Sequence, residues 1–161
     1  MRLGDFIQPD HIIADLKART KEEAIEELVD ALVASGGLPA EERESAILGL
    51  LKREALAPTG VGNGIAIPHA QVRTLKEFAG AIGVSREGID FDGHGPAHVV
   101  FLLVSPHSAP PEHLQLMAML GRLASDPRTL ALIRTASTKT KIFHAVREAE
   151  NRMFPPPAAP F

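Results

Sequence analysis

His69 lies near the end of the run TGVGNGIAIPHAQ, Thr59 to Gln71, in which glycines at 60, 62 and 64 precede an apolar segment broken at Pro68. An imidazole with a pKa near ~6.5 is substantially neutral at cytoplasmic pH, and a neutral imidazole is a competent nucleophile toward phosphorus. Glycine lets another group approach the backbone closely, so the N–H groups around Gly62, Asn63 and Gly64 are candidates for a concave anion-binding run. A tight connection between a helix and a strand would use the same glycines. A Walker A loop is excluded because no Gly-Lys-Ser/Thr follows, and the dinucleotide fingerprint fails on spacing and on element order. A phosphoryl group in flight is close to metaphosphate, so its site needs positioning and positive charge more than further covalent chemistry.

Other chemistries have less to work with. The chain has no cysteine, which removes disulfides, thiolate metal sites and cysteine nucleophiles together. Seven histidines invite a metal reading. His94 and His98 are four apart, but HGPAH contains Gly and Pro and does not read as a helix, so the one-face geometry of a helical zinc pair is missing. No metal or cofactor is expected. His11 and His107 read as loop residues, and His144 as a packing or surface position on the last helix.

The elements that must position His69 follow from periodicity. Thr20 with Glu23 forms a capping-box pattern, and Ala24, Ile25, Leu28, Val29, Leu32 and Val33 follow at helical spacing, predicting a helix over 21–35. A second helix leads through Ile47, Leu50 and Leu51 to about Glu54. IAIPH reads as a short strand ending against Pro68. AGAIGVS (79–85) and HVVFLLV (98–104) read as strands, the second apolar throughout and so buried on both faces; REGIDFDGHGPA between them reads as turn-rich. Helices are predicted from Glu112 to about Ser125, over DPRTLALIRTA, and from near Ser137 onward. The irregular alternation predicts an α/β fold with α+β character, a mixed sheet covered by helices on both faces.

At 161 residues and 45% hydrophobic composition the chain is sized for one domain, taken as 1–152, with FPPPAAPF placing a proline-rich flexible tail at 153–161. Lys and Arg total 17 against 20 acids, a net charge of -3, so no basic excess exists for a nucleic-acid backbone. The N-terminus reaches charged residues at once and no run approaches about eighteen apolar residues, so a soluble, cytoplasmic protein without membrane insertion is expected.

TGVGNGIAIPHA resembles the active-site segment of the fructose/mannitol-type IIA proteins of the bacterial phosphoenolpyruvate-dependent sugar phosphotransferase system. The likeness covers roughly residues 3–150, and LGDFIQPDHIIADLKARTKEEAIEELVDAL is closest to the nitrogen-regulatory branch. The resemblance implies that His69 accepts phosphate on Nε2 from phospho-HPr. It further implies that His113, opening EHLQLMAMLGRL, lies beside it, and that Arg53 of the Arg-Glu pair faces the site. A histidine in a helix's first turn meets free N–H groups that favour phosphate, and an arginine can grip phosphoryl oxygens in a bidentate manner. The family commonly continues Pro-His-Gly-Lys, where this chain has Ala70 and Gln71. The implied role is a regulatory phosphocarrier whose targets are of the potassium-transport or sensor-kinase kind. Two alternatives stay open: a sugar-specific IIA component passing phosphate to the cysteine of a separate IIB domain, and a binding module that no longer carries phosphate.

Overall fold

The computed structural model describes residues 1–158 apart from His94. In chain order the elements are β1 (Ile12–Ile13), α1 (Lys21–Ser35), α2 (Arg43–Leu56), β2 (Gly60–Gly62), β3 (Ile65–Ala66), β4 (His69–Val72), β5 (Ala79–Ile89), β6 (Ala97–Pro106), α3 (Pro110–Ala124), α4 (Pro127–Thr135) and α5 (Lys139–Met153). Single 3-10 turns lie at Leu3–Asp5, Pro9–His11 and Ala40–Glu42.

Strand β6 organises the rest. Side chains alternate across a strand, so Val100, Leu102 and Val104 enter one core cluster while Val99, Phe101 and Leu103 enter another. The first cluster lies under α1 and α2, the second under α3, α4 and α5. The sheet is therefore mixed and covered on both faces, as the sequence predicts. β5 runs antiparallel to β6 along one side and carries β1 in parallel on its far edge. Along the other side of β6, β3 and β4 run parallel to it in one continuous register, Ile65 opposite Val99 and His69 opposite Leu103. The strand read as ending at Pro68 thus resumes after it; Pro68 interrupts the strand without shifting it, and its carbonyl still accepts from Leu103 N at 3.0 Å.

Helix α1 spans the predicted residues. Its N-cap Thr20 accepts from Glu23 N, and Gly36 closes it at φ 82°. Two readings change. β5 continues through Arg86 and Gly88 to Ile89, because a register shift between Val84 and Ile89 absorbs the turn-forming residues as a bulge. The glycine run is a hairpin as well as a connection: β2 pairs antiparallel with β3 across Asn63 (φ 57°) and Gly64 (φ 79°). Positive φ at two successive central residues is the Asn-Gly hairpin turn. At the C-terminus, α5 runs through Met153, and Phe154 is held, its carbonyl accepting from Arg2 at 2.7 Å and its ring 4.6 Å from the Arg122 guanidinium. Residues 159–161 of the proline-rich tail lie outside the described residues.

The hairpin is fastened to the end of α2 by Glu54. This carboxylate is 4% exposed; Oε1 accepts from Thr59 N at 3.1 Å and Oε2 accepts from the Thr59 hydroxyl. Lys21 from α1 stands 3.7 Å away and itself pairs with Asp92 at 2.6 Å. Glu54→Ala strands two Thr59 donors in a buried setting and is expected to lower stability by about 1–3 kcal/mol in urea denaturation. Glu87→Ala, at an exposed position, should change it by less than ~0.5 kcal/mol. Equal effects would remove Glu54 as the anchor.

Candidate functional site

The site begins with the hydrogen bonds that the broken edge strand leaves over. Ile67 N donates to Thr59 O at 3.0 Å, a pairing that an ordinary antiparallel ladder would close with Thr59 N to Ile67 O. Glu54 takes the Thr59 N–H instead. The free Ile67 carbonyl lies 2.7 Å from His69 Nδ1. A carbonyl only accepts, so Nδ1 carries the proton and Nε2 keeps an open lone pair.

Strand parity places the second histidine. Ile65 and Ile67 belong to the cluster under α3–α5, while Ala70 and Val72 belong to the cluster under α1 and α2. His69 shares the parity of Ile67 and faces α3. Ser105, on β6, shares the parity of Phe101 and Leu103 and is fully buried. His113, on the opening turn of α3, sets its Nδ1 2.7 Å from Ser105 Oγ. The His69 and His113 rings stand 5.7 Å apart between centroids, inclined by 41°.

Helix α2 supplies the cations. Gly49, Lys52, Arg53 and Leu56, at i, i+3, i+4 and i+7, form one stripe that lines a cleft of about 380 Å³ with His69, Gln71, His107 and His113. A Cβ at Gly49 would stand 3.4 Å from the Ala70 Cβ, so glycine lets α2 lie close against β4. Arg53 Nη1 donates to Ala57 O at 2.9 Å, which ties the guanidinium to the chain leaving α2. A roomier hollow of about 550 Å³ between residues 15–19 and 85–88 is lined by no histidine among the described residues.

The electrostatics of the cleft favour neutral rings. Burial lowers the His69 pKa below 6.5, with the Arg53 guanidinium adding to that, against the Ile67 hydrogen bond and Glu54, which act the other way. Burial also lowers the pKa of His113, and the neighbouring His69 contributes. The site therefore pairs a neutral imidazole having an open Nε2 with a lysine and an arginine, an arrangement suited to attack on an electrophile carrying negative charge.

His69, His113 and Arg53, the three side chains singled out in the sequence, line one cleft. Gly62, Asn63 and Gly64 do not line the cleft; their unusual backbone angles form the hairpin turn, and the Gly64 carbonyl accepts from His98 N at 2.7 Å and Val99 N at 3.0 Å. Ala70 lies in extended β4, so no positive φ is required where the resemblance carries glycine. Gln71 lines the cleft, as does Lys52, which brings an ammonium to the cleft that Gln71 cannot supply. Lys52 was missed by the sequence reading, its place in the cleft following from its i+3 spacing to Gly49 on α2; Ser105 and the Ile67 carbonyl had no sequence signal. His107 lines the cleft although it read as a plain loop residue, and His11, read likewise, is buried with Nδ1 3.0 Å from Phe6 O. His98 lies in β6 with Nδ1 3.0 Å from Ser85 O, and its sequence partner His94 is outside the described residues. Among the described residues no three His, Asp or Glu are grouped to hold a metal ion, and no helix is long and apolar enough to cross a membrane.

Comparison with known proteins gives a consistent assignment. The profile described as "Phosphoenolpyruvate-dependent sugar phosphotransferase system, EIIA 2" matches residues 5–149. A "PTS system fructose-specific EIIA component" from Haloferax volcanii is 42% identical over 105 residues, 64% of this chain and 67% of that protein. A "Nitrogen regulatory protein" from Bradyrhizobium diazoefficiens is 32% identical over 146 residues, 89% of this chain and 93% of that protein. The crystal structure of nitrogen regulatory protein IIA-Ntr from Neisseria meningitidis superposes with a TM-score of 0.78 at 28% identity, covering 89% of this chain and 98% of that one. The profile match spans the sheet, nearly all of its helices and the cleft histidines His69, His107 and His113, and on it the chain belongs to the EIIA 2 family of the phosphoenolpyruvate-dependent sugar phosphotransferase system.

Proposed function

We propose that the chain is a phosphocarrier in which His69 Nε2 accepts a phosphoryl group from phospho-HPr, and that it acts in the nitrogen-regulatory branch. The observation that carries this reading is the 2.7 Å contact between His69 Nδ1 and the Ile67 carbonyl, which commits the Nε2 lone pair to the cleft. That lone pair forms the new N–P bond as the donor's P–N bond breaks, and the departing electron pair returns to the donor's imidazole. Positive charge developing on the His69 ring is stabilised through Nδ1–H by the same carbonyl. The buried setting disfavours that charge, which keeps the phosphoryl group transferable. Arg53 and Lys52 neutralise the phosphoryl oxygens, and His113 orients them. A phosphoryl group adds nearly two negative charges at the cleft and so changes which protein surfaces fit there. No metal or cofactor enters this scheme.

The regulatory branch is supported by the match along nearly the whole length of the Bradyrhizobium protein and by the Neisseria structure. Its acceptors would be regulated proteins of the potassium-transport or sensor-kinase kind. A second reading, transfer to the cysteine of a separate IIB domain, is favoured by the higher identity to the Haloferax fructose-specific component. Rapid loss of phosphate to a IIB partner would select it. A phosphate-independent binding module would instead bind its partner equally with and without His69.

Intact-mass measurement at neutral pH, after incubation with phosphoenolpyruvate, enzyme I and HPr, is expected to show one added phosphoryl group. The group should be absent from His69→Ala and formed more slowly in His113→Ala. An unmodified wild type beside a labelled control IIA protein would exclude the carrier reading for this donor system.

Arg53→Ala is expected to slow phosphorylation by on the order of 10²-fold, as loss of a transition-state donor does, while thermal stability stays close to wild type. A rate within about twofold of wild type would take Arg53 out of the site.

The pH profile of phosphorylation should be flat near neutrality and fall only below 6.5, because burial depresses the His69 pKa. Folding follows the same sign: the unfolded chain binds the proton more readily, so the contribution of His69 to stability is intact above 6.5 and declines as pH falls. A rate that falls with acidification already above neutrality would contradict the depressed pKa.

A further inference from the structure

We infer that Ser105 is a positioning residue that fixes the tautomer of His113, so that His113 presents Nε2–H, a donor, to the cleft. The inference rests on the proposed transfer through His69 for its functional meaning, and on buried hydroxyl chemistry for its direction.

Ser105 is 0% exposed, and His113 Nδ1, at 2.7 Å, is the hydrogen-bond partner of its hydroxyl among the described residues. Two proton arrangements fit that distance. In one, Nδ1–H donates to Oγ, and the serine proton is left without an acceptor inside the protein. In the other, the serine O–H donates to an unprotonated Nδ1, and every polar atom of the pair is satisfied. A buried donor without a partner is costly, so the second arrangement prevails. The ring is neutral near pH 7 because burial, and then His69, depress its pKa, so a single tautomer is meaningful.

The consequence is a matched pair of opposite tautomers. The Ile67 carbonyl puts the His69 proton on Nδ1 and leaves Nε2 as an electron-pair donor. The Ser105 hydroxyl puts the His113 proton on Nε2, where it can donate to a phosphoryl oxygen. Two histidines with the same tautomer would face the cleft with two lone pairs, and the second would repel the oxygens it has to hold. β6 accomplishes this by extending its alternation one step past Leu103, which sets Ser105 on the face covered by α3.

The test is ¹⁵N NMR of the histidine rings in the unphosphorylated protein at neutral pH, for wild type, Ser105→Ala and Ser105→Thr, followed by phosphorylation kinetics with HPr. Wild-type His113 should show the Nε2–H tautomer. Ser105→Ala should convert it to a mixture or to Nδ1–H, leave the His69 signals in place, and lower the maximal rate roughly tenfold with the KM for phospho-HPr unchanged. Ser105→Thr, which keeps the hydroxyl, should restore both the tautomer and the rate. Wild-type His113 found as Nδ1–H would overturn the inference, as would an Nε2–H tautomer that survives in Ser105→Ala. The tautomer is read without any phosphate donor, so failure of wild-type phosphorylation would count against the carrier function and leave the Ser105 assignment standing.

Discussion

The site depends on one peptide carbonyl having no ladder partner. Between Thr59 and Ile67 the hairpin makes one of two possible backbone hydrogen bonds, because the buried carboxylate of Glu54 takes the Thr59 N–H. The Ile67 carbonyl is then available two residues before the histidine, where the Nδ1–H of His69 reaches it. A carboxylate at the end of α2, a hairpin and an interrupted strand are thereby linked through three hydrogen bonds to the protonation pattern of one imidazole. Pro68 fits this arrangement. It cannot donate to the ladder, and it keeps the parallel register with β6, so His69 stays opposite Leu103 while the backbone around it is held.

The two faces of the sheet divide the work. Atoms that set proton positions come from the sheet, with His69 on β4, and Ser105 and the helix bearing His113 following from β6. Cations come from the other side, where α2 lies against the short edge strand β4 and turns Lys52 and Arg53 into the same cleft. Because β4 is short and Gly49 allows close approach, a helix packed on one face reaches around the strand to side chains on the other. Charge and tautomer are thus set by separate elements, Lys52 and Arg53 of α2 bringing cations to a cleft where β4 presents the neutral Gln71.

Much of this was legible in the sequence where the signals are local. The Thr20 cap and apolar spacing define α1 at both ends, and the continuous apolar run HVVFLLV marks a strand buried on both faces. His69, His113 and Arg53 were legible through resemblance to ordered motifs. The hairpin was missed although Asn-Gly is a turn signal, because glycines on alternate positions also suit an anion-binding loop and pattern alone does not choose between them. β1 has two residues and gains its identity from pairing with β5, which no local signal reports. Ser105 and the Ile67 carbonyl were invisible for a different reason: their roles come from strand parity and from a missing ladder bond, which exist only after the sheet is assembled.

The central claim is that the Ile67 carbonyl holds the His69 proton on Nδ1 and so directs phosphoryl transfer to Nε2. The most direct measurement is ¹⁵N–³¹P NMR of the phosphorylated protein with ¹⁵N-labelled histidine. Phosphorus coupled to Nε2 of His69, with Nδ1 still carrying a slowly exchanging proton, is the predicted result. Phosphorus on Nδ1 of His69, or on any other histidine, would contradict the account.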